Sequence, residues 1–134
     1  MDCIFCAIEK GEMPAYKLYE DDDFFVILDK FPHNRGESLV ITKQHYDNVF
    51  NMPPQLVGAA FSVGQKVAAT LKGKLGAEGV NLLQNNGRAA GQMINHFHLH
   101  VIPRYNGDDM KIGGSTIKQA DEEFVKICDI LKLE

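Results

Sequence analysis

Apolar residues recur along this chain in two rhythms, and the changes between them mark out its elements. Residues 17–20 (Lys-Leu-Tyr-Glu) and 24–29 (Phe-Phe-Val-Ile-Leu-Asp) read as two strands of a hairpin, joined by the turn Asp21-Asp22-Asp23. A loop over residues 30–36 leads to the β-rich run Ser38–Thr42. From about Pro54 to Leu75 the spacing becomes helical, with Val57, Ala60, Phe61, Gly64, Val67, Ala68 and Leu71 on one stripe, until glycines at 73, 76 and 79 end it. The apolar run Val80–Leu83 follows, then a polar turn from Gln84 to Gly91. A strictly alternating run then extends from His96 to Pro103, where the proline is expected to halt a strand. Residues 3–10 suit a short helix ahead of Gly11 and Pro14, and Phe124, Ile127, Cys128 and Leu131 describe an amphipathic closing helix. The order ββ, β, α, ββ, α predicts an α+β fold, an antiparallel sheet of about five strands covered by a long helix and a C-terminal helix, rather than a doubly wound parallel sheet. With no repeat, linker or low-complexity segment in view, one domain over residues 1–134 is expected.

Composition narrows the range of partners. A chain of 134 residues that is 45% hydrophobic can bury one core. Its net charge of −4 comes from intermixed acids and bases. No broad basic face of the kind duplex nucleic acid needs is apparent, and any nucleotide recognised should be a small molecule. No stretch approaches the roughly 20 apolar residues that span a bilayer, and the start lacks a signal-peptide pattern, so a cytoplasmic protein without a membrane partner is expected. The three cysteines are an odd number. Without a secretion signal, the Cys3-x2-Cys6 spacing suits metal or redox chemistry better than a disulfide framework, whereas Cys128, amid apolar helix positions, reads as core.

The alternating run carries the chemistry. His96, His98 and His100, three of the five histidines, fall at two-residue intervals, so a strand would send all three to one face and Phe97, Leu99 and Val101 into the core. Same-face neighbours lie about 6.6 Å apart, close enough for the rings to set one another's tautomers. Imidazole can attack phosphorus and leave again, dividing one hard displacement into two easier ones, and His98 in the middle has support on both sides. The same spacing also suits an open tris-imidazole zinc face, or ordinary strand histidines. Upstream, Asn85-Asn86-Gly87-Arg88-Ala89-Ala90-Gly91-Gln92 offers amides and glycines that let backbone N–H groups approach an anion; read alone it is also an ordinary turn.

Ala90-Gly91-Gln92 followed by His96-Phe97-His98-Leu99-His100-Val101-Ile102-Pro103-Arg104 resembles the histidine triad (HIT) superfamily, and within it bacterial HIT-like nucleotide hydrolases. The likeness extends back through Ile4-Phe5-Cys6-Ala7-Ile8, Pro14, Leu18-Tyr19-Glu20-Asp21, Asp29, Leu39-Val40-Ile41, Lys43 and His45, and stops at Arg104. It implies a homodimer whose subunits join their sheets, and nucleotidyl hydrolase or transferase activity at the α-phosphate of purine nucleotide conjugates such as phosphoramidates, mixed anhydrides or dinucleoside polyphosphates. The resemblance makes His98 the nucleophile of a nucleotidyl-histidine intermediate, with His96 and His100 as orienting and phosphate-contacting neighbours. Asn85, Gly91 and Gln92 are then placed at the phosphate, Asp29 at the ribose hydroxyls, and Phe5 and Ile27 as walls of the base pocket. No cofactor is required for that chemistry, but some relatives hold a structural zinc, and Cys3, Cys6, His45 and His96 offer a Cys2His2 set. Two departures stand out. Met93 takes a position where the family commonly has a hydroxyl, and Glu37 one where it often has a histidine. A binding protein with little turnover is the rival reading.

Overall fold

The computed structural model describes residues 3–133. Met1, Asp2 and Glu134, at the edges of the expected domain, lie outside them. Five strands form one antiparallel sheet in the order β1-β2-β3-β5-β4: β1 (Lys17–Glu20), β2 (Phe24–Leu28), β3 (Ser38–Thr42), β4 (Gly79–Leu83) and β5 (His98–Arg104). The α+β architecture and strand count are those expected. Every residue of β2 and β3 is buried, because the sheet is covered on both sides. Their continuous apolar runs follow from that double cover.

Alternate residues serve the two faces. Phe24, Val26, Leu28, Val40, Phe97, Leu99 and Val101 meet the long helix α2 (Pro54–Leu75) and the closing helix α3 (Asp121–Leu131) in the main core. Phe25, Ile27, Leu39 and Ile41 face the other way and pack with Phe5 of α1 (Ile4–Glu9). α2 starts on Pro54, whose fixed φ suits a first turn, and ends on Gly76 at φ 70°. Its buried stripe is Ala60, Val63, Gly64, Val67 and Leu71, whereas Phe61, on the expected stripe, is 40% exposed. None of the described helices is long and apolar enough to cross a membrane.

Two boundaries of the histidine strand differ from the sequence reading. The strand begins at His98 rather than His96, because the backbone N–H of Phe97 leaves the sheet to bind the carbonyl of Tyr46 at 2.7 Å. It also runs through Pro103 to Arg104. β3 pairs with β5 only between Ser38↔Val101 and Ile41↔His98, so it has already ended at Pro103. The Pro103 carbonyl points to that side, accepting Asn34 Nδ2 at 2.9 Å, and the missing N–H therefore deprives no ladder partner.

Candidate active site

The register of β3 on β5 sets Leu39 opposite His100 and Ile41 opposite His98, which brings both imidazoles out on the face covered by α1. Their ring centroids are 5.0 Å apart, and Phe5 meets His98 edge-on at 5.2 Å. A cavity of about 540 Å³ opens above them, a size that accommodates a nucleotide, and Phe5, Asp29, Asn85, Gly91, His98 and His100 all line it. A larger depression of about 740 Å³ over Glu9, Asp22, Asp23 and Lys43 holds no histidine.

His98 donates its Nδ1–H to the backbone carbonyl of His96 at 2.7 Å. Among the described residues its Nε2 has no hydrogen bond, and no buried side-chain nitrogen lacks a partner, so Nε2 opens on the cavity. Burial lowers the ring's pKa to about 4, the His96 carbonyl opposing the shift and positive charge on His100 or His96 adding to it. The ring is thus neutral at neutral pH, with a free lone pair on the nitrogen that faces the cleft.

His96 is placed differently. It is fully buried, does not line the cavity, and directs Nδ1 towards Cys3 Sγ (3.2 Å) and Cys6 Sγ (3.5 Å). Its link to His98 is through the backbone carbonyl alone. His45 Nδ1 lies 3.3 Å from Cys6 Sγ, and the four ligand atoms of Cys3, Cys6, His45 and His96 all lie within 4.8 Å of one another. The Cys3 thiol also caps α1, accepting the N–H of Cys6, which is how the Cys-x2-Cys spacing turns both sulfurs inward. The remaining ring nitrogens are tied back: His96 Nε2 donates to the Thr42 carbonyl at 2.8 Å and His45 Nε2 to Asp47 Oδ1 at 2.9 Å. Such outer partners fix the tautomer that leaves each Nδ1 free to ligate. Tetrahedral zinc would hold these donors about 3.6 Å apart, and the Cys3–His96, Cys6–His45 and Cys6–His96 pairs, at 3.2, 3.3 and 3.5 Å, come within a few tenths of an ångström of that, so the residue set fits the metal. Burial and the neighbouring Cys3 thiol push the Cys6 thiol up to about 11, so a cation entering here displaces protons.

Glu37, noted above only as a departure, is the hub of the cleft's other end. Its side chain is fully buried; Oε1 accepts the backbone N–H of His33 (2.7 Å) and the His33 Nδ1–H (3.0 Å), and Oε2 accepts Nδ1–H of His100 (2.9 Å). Burial alone would raise this carboxyl, but the hydrogen bonds from His100 and His33 outweigh it and leave the pKa below the usual value. Asp29 Oδ1 accepts the Phe31 N–H at 2.9 Å, and Oδ2 stands 4.0 Å from His100 Nδ1. Burial and then the Glu37 charge raise the Asp29 pKa, against the opposing Phe31 N–H and His100. Asp29, Glu37 and His100 also converge within metal-ligand distance, but both Glu37 oxygens are already taken by imidazole and amide hydrogens.

Two residues expected at the nucleotide lie behind the cleft instead. Ile27 is buried in the cluster beneath Phe5 and does not line the cavity. Gln92 is 1% exposed and acts as a brace: Oε1 accepts the Gly87 N–H and Asn48 Nδ2, while Nε2 donates to the carbonyls of Asp47 and Ile94. It holds the loop that presents Asn85 and Gly91, the latter at φ 91° with the Asn85 amide beside it. The cavity also has walls that no motif marked, namely Phe31 and His33 from the loop after β2 and Ile112, Gly113 and Gly114 from the segment before α3. His33 four residues before Glu37 was the one available clue, and a loop has no period that would have paired them.

Fold and site together define a small α+β protein with an imidazole-lined cleft beside a Cys2His2 cluster. Comparison with known proteins agrees. A model of the HIT domain matches residues 10–107. A HIT-like protein of Methanocaldococcus jannaschii is 42% identical over 97% of this chain and 96% of its own. An adenylylsulfatase of Arabidopsis thaliana is 46% identical over 80% of this chain, which spans only 54% of that relative. The crystal structure of a zinc-bound histidine triad family protein from Mycobacterium smegmatis superposes with a TM-score of 0.89 at 40% identity, covering 98% of this chain and 91% of that one. The chain belongs to the HIT, or histidine triad, family, whose members include nucleotide-binding proteins and hydrolases.

Proposed function

We propose that this protein is a nucleotidyl hydrolase or transferase acting at the α-phosphate of purine nucleotide conjugates through a covalent intermediate on His98. The observation that carries the reading is the state of His98: neutral, fixed by Nδ1–H to the His96 carbonyl, and offering Nε2 to a cavity of nucleotide size. In the first step the Nε2 lone pair forms a bond to phosphorus while the bond to the leaving group breaks, its electrons departing with that group. In the second, water or another hydroxyl acceptor adds to phosphorus and gives up its proton to solvent, while the phosphorus–nitrogen bond breaks and its electrons return to His98 Nε2 as the lone pair. In this reading Asn85 and the backbone around Gly91 receive phosphate oxygens, Asp29 the ribose hydroxyls and Phe5 the base, a division supported by all four residues lining the one cavity. A Cys2His2 zinc would be structural, since four protein ligands leave no position for a reacting water. The protein is a homodimer in this reading, joined along β4, whose outer edge is unpaired among the described strands and whose Leu82 is 42% exposed.

The test is His98→Ala. It should lower kcat at least about 10³-fold while adenosine monophosphate still binds, because the pocket survives the loss of the nucleophile. A substrate labelled at the α-phosphate should leave acid-labile label on wild-type protein after a rapid quench. An active His98→Ala protein, or a wild type that never takes up label, sinks the mechanism.

A further inference from the structure

Glu37 is a fully buried carboxylate whose side-chain partners are two histidines, one of them beside the proposed nucleophile. The backbone N–H of His33 is a fixed donor, so the oxygen it meets must accept. The other oxygen takes the Nδ1–H of His100, which turns the far side of that ring to the cleft. His100 Nε2 has no hydrogen bond among the described residues and is not sealed from the cavity. A phosphate bound next to His98 offers oxygens that only accept. To meet one, His100 must donate at Nε2 while still donating at Nδ1, and an imidazole that donates at both nitrogens is a cation.

We propose that Glu37 is a positioning residue which locks His100 with Nδ1 against its carboxylate, so that a phosphate-bearing ligand binds with uptake of one proton and completes a carboxylate–imidazolium–phosphate chain. This inference rests on the reading of the cleft as a phosphate site. Two carboxylates and two imidazoles stand around His100. Glu37, just before β3, touches the ring, Asp29, just after β2, brings Oδ2 to 4.0 Å, the His98 ring lies 5.0 Å away on the same strand, and His33 stands behind Glu37. A neutral side chain at position 37 would hold the ring's shape without supplying the charge.

The experiment compares wild type with Glu37→Gln. The probe is the methyl ester of adenosine 5′-monophosphate, whose phosphate has one fixed charge and no proton to gain near neutrality. In the variant the amide oxygen stays on the His33 N–H, the amide NH2 faces His100 Nδ1, and that nitrogen must accept. The ring then carries its single hydrogen on Nε2 and meets phosphate without a proton change. Calorimetry at about pH 8 in two buffers of different ionisation heat should show about one proton taken up per site by wild type and about none by Glu37→Gln. Turnover of the variant should fall about tenfold with KM little moved, the difference between a charged and a neutral hydrogen bond to the reacting phosphate. A merely structural role would change stability and leave the proton count alone. Nitrogen-15 spectra of ligand-free wild type give an independent reading, with the His100 hydrogen expected on Nδ1. Equal proton uptake in both proteins, or a His100 hydrogen on Nε2 alone in wild type, overturns the assignment. A wild type that binds the probe without uptake sinks the role of Glu37 only, whereas one that does not bind it at all brings down the phosphate reading as well.

Discussion

At the scale of single residues, environment separates three imidazoles that the sequence presents as equals. Burial keeps His98 neutral while one backbone carbonyl fixes its tautomer, His100 is tied to a carboxylate, and His96 is withdrawn to the thiols. Met93 is the residue whose consequence lies in the leaving group. It is 79% exposed at the mouth of the cleft, and a thioether has no proton to give. Leaving groups that are already stable anions should therefore be preferred over alkylamines. Replacing Met93 with Ser should narrow the ratio of kcat/KM between a phosphate-leaving and an amine-leaving substrate, by about 10²-fold if the hydroxyl serves the departing amine. Identical ratios in the two proteins would mean that the proton arrives from His100 or water and that Met93 only packs.

At the scale of elements, α1 joins the two sites. Its first turn supplies Cys3 and Cys6 to the cluster and Phe5 to the cleft, and Phe5 lies edge-on to both His96 (5.7 Å) and His98 (5.2 Å). A helix of six residues is too short to persist alone, so its anchorage has to come from side chains at its start. About one zinc per chain is expected in protein purified without chelators. Cys3→Ser should lose the metal and melt roughly 10 °C lower, the consequence of losing a few kcal/mol of metal-linked folding energy. Elemental analysis without zinc, or an unchanged melting curve, removes the site. The turn into β3 has a comparable constraint. Gly36 sits at φ 99°, and a Cβ there would lie 2.6 Å from Leu75 Cδ1, so glycine is what lets the chain pass under α2 and deliver Glu37 inward.

At the scale of the whole molecule, charge and edges govern. Glu37 and Asp108 both have carboxyl pKa values below the ordinary range in the fold: Glu37 for the reasons given above, Asp108 because Arg104 binds it through Nε (3.1 Å) and Nη2 (2.9 Å), with further help from the Tyr105 N–H and Asn34. The native state then binds fewer protons than the unfolded chain, so the stability these groups add is complete above about pH 4 and is lost as pH falls through their lower folded values. The melting temperature should drop as pH falls below about 4, and less steeply in Asp108→Asn. An equally steep fall in that variant would show that Asp108 has no part in it. The open edge of β4 gives the second prediction at this scale. Wild type should sediment at twice the mass of one chain, and Leu82→Lys should shift it towards the monomer by placing a charge on that edge. A monomeric wild type ends the dimer reading.

The sequence by itself determined the elements and the chemical inventory. Continuous apolar runs located β2 and β3, and helical spacing α2 and α3, because the two strands are buried on both faces and the two helices bury one stripe along their length. Histidines at alternate positions, a Cys-x2-Cys and a glycine-bearing polar loop were likewise legible, since each depends on residues adjacent in the chain. What the tertiary structure decided was which of these groups meet. Cys6 and His96 are separated by 90 positions and Glu37 and His100 by 63, and no local pattern records such pairs. The same holds for the division of labour among His96, His98 and His100, for the withdrawal of Gln92 and Ile27 from the cleft, and for the strand that continues through Pro103 because its neighbour has already ended. Periodicity reports whether a residue faces a core, whereas the partner it finds there is set by sheet order and register, which long-range packing alone fixes.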